Sequence, residues 1–120
     1  MHILIVDDEL EFLELMQNRL RKRGFSVVTV GTGEGALEKV GEEKFDAMVL
    51  DVKMPGIDGI DVLRRVKELR PELPVILLTG HASTEAALMG VESGAVEYLR
   101  TPVPSNDRIM RLRAIASAIE

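Results

Sequence analysis

The chain has 120 residues, 46% of them hydrophobic and 29% charged, with a net charge of −5 and no cysteine. That is enough for one core and not for two. The acidic balance argues against direct nucleic-acid binding. The cysteine count excludes disulfides and thiolate metal sites and fits a cytosolic protein. No apolar run is long enough to span a membrane, and the start turns acidic too early for a signal peptide.

His2-Ile3-Leu4-Ile5-Val6 is a short apolar run that ends in Asp7-Asp8-Glu9, a buried strand running into acid. Glu9 to Arg23 then reads as a helix, because Leu13, Met16 and Leu20 recur on one stripe. Arg21-Lys22-Arg23 is the cation-rich last turn such a helix favours, and Gly24 suits the position just beyond it. Phe25 to Val30 is β-branched and flanked by glycine, hence a strand. Gly31-Thr32-Gly33-Glu34-Gly35 lacks both the Lys-Ser/Thr ending of a P-loop and the dinucleotide glycine spacing. It reads as the turn into a short helix ending near Gly41.

Met48-Val49-Leu50 is a second fully buried strand, and it ends in Asp51. Pro55-Gly56 and Asp58-Gly59 mark the loop that follows. A helix is expected from about Asp61 to Leu69, with Val62, Leu63, Val66 and Leu69 on one side and Pro71 as its stop. Val75 to Leu78 is a further strand, ending in Thr79-Gly80-His81. Thr84 to Ser93 reads as a helix closed by Gly94, and Val96 to Leu99 as the last strand. Ser105 caps a final helix with Ile109, Leu112, Ala116 and Ile119 on one face.

Strands and helices thus alternate five times, which implies a parallel sheet covered on both faces. In such sheets ligands gather at the carboxyl ends of the strands. Two strands ending in acid would bring Asp7, Asp8 and Asp51 to one edge. Crowded carboxylates must retain a proton or bind a cation, and hard oxygen ligands suit Mg²⁺. A plainer reading also stands: Asp7 and Asp8 favour the start of the next helix, and Asp51 caps a turn.

From end to end the sequence resembles the receiver domains of two-component response regulators. The matching stretches are Ile3 to Glu9, Leu50 to Gly59, Leu77-Leu78-Thr79-Gly80, Gly94-Ala95 and Tyr98-Leu99-Arg100-Thr101-Pro102. The resemblance implies a doubly wound, flavodoxin-like α/β fold of five parallel strands in the order 2-1-3-4-5. It also implies one receiver domain over residues 1–120, complete or the N-terminal part of a longer regulator. Asp51 would accept a phosphoryl group from a histidine kinase or phosphotransfer protein. Asp8 and Asp51 would ligate Mg²⁺ directly, Asp7 through water, and the Lys53 backbone carbonyl would complete the set. Thr79 would hydrogen-bond the phosphoryl group, and Tyr98 would swing inward on activation. Output would pass through the last two helices and the strand between them to an effector domain or protein, with a phosphorylation-dependent homodimer as a further form. No enzymatic activity beyond self-phosphorylation and autodephosphorylation is implied.

One position departs from the family. Receivers carry a lysine just before the proline after the last strand, and this chain has Thr101 there. Threonine is short and neutral and cannot replace the ammonium group. Lys53 could reach the phosphoryl oxygens instead, or could equally be a solvated loop lysine. By family analogy Lys53 and His81 tune the lifetime of the acyl phosphate. Thr101 also keeps a different class of reading open, a non-phosphorylated pseudo-receiver that serves as a protein-interaction domain. A Mg²⁺-dependent phosphatase would need a general acid where Lys53 stands.

Overall fold

The computed structural model describes residues 1–51, 59–79 and 97–100. Five strands form one parallel sheet: β1 (His2–Val6), β2 (Ser26–Val30), β3 (Ala47–Asp51), β4 (Val75–Thr79) and β5 (Glu97–Arg100). Their order is β2-β1-β3-β4-β5, the arrangement the resemblance implies. Three helices are described: α1 (Leu10–Lys22), α2 (Gly33–Glu42) and α3 (Gly59–Leu69). The elements expected over 84–93 and 105–119 lie outside the described residues.

Side chains alternate across a strand, so residue parity sorts the core into two layers. Leu4, Val6, Met48, Leu50, Val75 and Leu77 face α2 and α3, where they meet Ala36, Val40, Val62, Leu63 and Val66. Ile3, Ile5, Val27, Val49 and Ile76 face α1, where they meet Phe12, Leu13, Met16 and Leu20. The uninterrupted apolar runs in β1 and β3 are thereby explained, since both faces of these strands are covered. Phe12 joins the α1 stripe read from the sequence and is fully buried; a side chain of that size contributes about 2 kcal/mol by leaving water.

The helix ends follow local chemistry. Gly24 has φ +89°, the left-handed conformation that glycine adopts without strain. Around it the Phe25 N–H donates to Leu20 O and the Gly24 N–H to Arg21 O, each at 3.0 Å. This is a Schellman closure, and Phe25 packs on the same core cluster as Leu20. Thr32 opens α2, its hydroxyl accepting from the Gly35 N–H at 3.0 Å. The glycine-rich stretch is thus a turn and a helix cap. Gly59 and Ile60, assigned to the loop side by sequence, belong to α3 and are buried. Leu69 departs from its expected stripe and is 49% exposed; it is the last residue of α3, where the chain leaves for the Pro71 turn.

Candidate functional site

β1 and β3 lie side by side at the centre of the sheet, paired Ile5↔Val49 and Val6↔Leu50. The chain leaves β1 toward β2 on one side, and β4 follows β3 on the other. A crevice opens where strand order reverses in this way. Continuing the register one pair sets Asp7 abreast of Asp51. By parity both lie on the α1 side, two residues beyond Ile5 and Val49. The strand ladder runs on into Asp7, whose N–H donates to Val30 O at 3.1 Å.

Asp7 is 1% exposed, the one buried charged residue among those described. Its Oδ1 accepts from the Glu9 N–H at 2.9 Å, which turns the chain out of the strand. Glu9 O then accepts from the Leu13 N–H at 3.1 Å and α1 begins. The plainer reading of Asp7 as a turn-former is therefore also true. Asp8 is exposed and Asp51 half-buried as the last residue of β3.

Each of Asp7, Asp8 and Asp51 offers a carboxylate oxygen, and these oxygens all lie within 4.8 Å of one another. At that spacing two ionised carboxylates repel by about 3 kcal/mol in a dielectric typical of a protein surface. A divalent cation would turn the repulsion into attraction. The donors are hard anionic oxygens, and exposed Asp8 leaves the cluster open to water. That set fits Mg²⁺, which keeps several waters and takes few carboxylates.

The structure brings together the three acids expected from the sequence. Of the remaining candidates, Thr79 and Tyr98 are placed by backbone only: Thr79 ends β4 and pairs with Arg100, and Tyr98 pairs with Leu77. Thr79 is thus at the carboxyl edge of the strand next to β3. Lys53, His81 and Thr101 lie outside the described residues. A second polar cluster, made by His2, Ser26, Glu43 and Asp46 at the amino edge of the sheet, was not anticipated. The signal was the matched start of two strands, which becomes visible only once β1 and β2 are known to pair in parallel.

The family model of the response regulator receiver domain matches residues 3–113. The chain belongs to that family, the phosphorylation-responsive domains of two-component signal transduction. Over 101 residues, 84% of this chain, it is 39% identical to the transcriptional regulatory protein ZraR of Escherichia coli K12, and it spans 23% of that protein's length. A CheY-like response regulator receiver domain protein from Methanospirillum hungatei superposes with a TM-score of 0.82 at 30% identity, covering 98% of this chain and 94% of that one. A Burkholderia pseudomallei response regulator, solved with a phosphorylated aspartic acid, a calcium ion and citrate, superposes with a TM-score of 0.80 at 28% identity. That match covers 98% of this chain and 69% of the other. Among the described residues no helix is long and apolar enough to cross a membrane.

Proposed function

We propose that Asp51 is the phosphoacceptor of an active receiver, taking its phosphoryl group from a histidine kinase or phosphotransfer protein in the cytoplasm. The observation that carries this reading is the meeting of three carboxylates within 4.8 Å at the end of the central strand. The phosphorylated aspartic acid of the Burkholderia relative supports it. An Asp51 carboxylate oxygen attacks phosphorus, the phosphorus–nitrogen bond of the phosphohistidine breaks, and the departing imidazole takes up a proton. A carboxylate is a competent nucleophile here, and the step needs mainly alignment and neutral charge balance.

Asp7, Asp8, Asp51 and the Lys53 backbone carbonyl would hold Mg²⁺. When bound, the ion offsets the negative charge of the transferring group. The Thr79 hydroxyl donates to a phosphoryl oxygen, and this draws Tyr98 inward, a local charge event biasing a two-state element. The altered surface is the one built from the last two helices and β5. By likeness to a transcriptional regulator, a downstream effector domain or protein reads that surface, through homodimerisation or directly.

Thr101 sets this receiver apart. Without the family's lysine, phosphorylation persists but couples weakly to the Tyr98 region. Restoring the ammonium with Thr101→Lys should enlarge the NMR shifts there on beryllofluoride titration; identical shifts would contradict the reading. Lys53 and His81 tune the phosphoryl group's lifetime, so Lys53→Ala or His81→Ala should change its decay rate.

The main test is direct. Acetyl phosphate with Mg²⁺ should add one phosphoryl group to the intact mass, lost in Asp51→Asn. An intact mass that never gains a phosphoryl group would leave the pseudo-receiver reading, which Thr101 favours, in possession.

A further inference from the structure

We propose that Ser26 is a nucleophile toward small activated acyl donors, acyl phosphates and aryl esters, with His2 as its general base and Glu43 orienting the imidazole. Parallel pairing sets His2 opposite Ser26, and parity puts both on the α2 side of the sheet, away from the face that carries Asp7 and Asp51. His2 Nδ1 lies 2.9 Å from Ser26 Oγ and Nε2 lies 3.0 Å from Glu43 Oε1. An ionised carboxylate can only accept, so Nε2 carries the hydrogen and Nδ1 turns a lone pair to the serine hydroxyl. This is the order of a nucleophile, base and acid relay.

The imidazole is held at both nitrogens and on one face, while its backbone is tied to Asp46. Its ring stacks on Phe45 with centroids 4.6 Å apart and planes 12° off parallel. The His2 N–H donates to Asp46 Oδ2, and the Asp46 N–H donates back to His2 O, both at 2.7 Å. Lys39 Nζ lies 3.6 Å from Glu43 Oε2 and 3.9 Å from Glu42. The hydrogen bond from His2, with Lys39 beside it, keeps the Glu43 carboxyl below its usual range. A histidine that merely fills space has no need of two committed ring nitrogens. Ser26 is exposed, so a donor can reach it. Its own N–H is engaged by Met1 O at 2.9 Å and does not face an incoming oxyanion. The donor must therefore carry a good leaving group.

In the step itself Ser26 Oγ attacks the acyl carbon while its proton passes to His2 Nδ1. The bond from carbon to the leaving oxygen breaks, and the proton then goes to that leaving group or to solvent. The product is an acyl-serine ester.

The test incubates the whole chain with 4-nitrophenyl acetate, following nitrophenolate release, intact mass and the acetylated peptide. One acetyl group on Ser26 is expected. General-base assistance is worth at least about 100-fold, so His2→Gln should slow Ser26 labelling by about that factor. Glu43 is partly exposed and its replacement leaves the core intact. Glu43→Gln should slow Ser26 labelling and Glu43→Asp should restore part of the rate, since only a carboxylate holds the imidazole in the required tautomer; a merely structural role would not distinguish the two variants. Asp51→Asn should label like the parent chain. Acetyl groups confined to lysines or the α-amine, or unchanged Ser26 labelling in both His2→Gln and Glu43→Gln, would overturn the proposal.

Discussion

β1 carries a polar cluster at each end, and the two are built on opposite principles. At its carboxyl end like charges are forced together: Asp7 is buried, and Asp8 and Asp51 crowd against it. At its amino end the unlike partners His2, Ser26 and Glu43 complete one another's hydrogen bonds. The first arrangement suits an added cation, which offsets the crowded carboxylates. The second has already settled its charges within the chain. A fold can tolerate the former only where a rigid frame prevents the acids from moving apart, and the buried runs of β1 and β3 are that frame.

The comparison breaks most sharply on phosphoryl transfer. Asp51→Asn should abolish the phosphoryl gain with acetyl phosphate and Mg²⁺, whereas Ser26→Ala should leave that phosphoryl gain whole and remove only acetyl labelling; equal loss of the phosphoryl group in both would deny that the ends are independent. Next comes the shared frame. Leu50→Ala, at a side chain with no exposure, should cost about 2–5 kcal/mol in urea unfolding and weaken both ends together. Mg²⁺ at 100 times its dissociation constant should add about 2.7 kcal/mol of stability, reversed by a chelator. Asp7→Asn should lose much of that gain and His2→Gln none of it. A rise that survives in Asp7→Asn would remove Asp7 from the ion site.

Smaller effects separate local closure from the sites. Gly24→Ala should destabilise by about 1 kcal/mol by forcing a side chain into the left-handed region, with acetyl-phosphate labelling unchanged. The smallest is the pH dependence of Glu43. Its carboxyl is lowered in the folded chain from an ordinary value of 4.5, by His2 and then Lys39. The folded state thus binds that proton less readily than the unfolded one, so the stabilisation is present above 4.5 and is lost as pH falls through the folded value. Urea midpoints of the parent and Glu43→Gln should differ near neutrality and draw together in acid.

The carboxyl-edge site was legible because its signal is local. An apolar run that stops in Asp51, and another that stops in Asp7-Asp8, each say where a carboxylate sits along its own strand. The α1 stripe and the Gly24 stop were readable for the same reason, being set by spacing within one helix. Strand order was different: periodicity gives no neighbour to a strand, and 2-1-3-4-5 came from resemblance alone. The amino-edge cluster was hidden because its members come from β1, β2 and the segment after α2, and only register unites them. Leu69 misled for a related reason. A stripe records which way a side chain points, and the sheet beneath decides whether anything covers it.

β1 has one further consequence. Hemmed by β2 and β3 along both edges, with Ile3, Leu4, Ile5 and Val6 at most 1% exposed, it has nowhere to flex. An anvil of this kind does not recoil when charge lands on it. Whatever binds at its carboxyl tip therefore meets a fixed floor in β1.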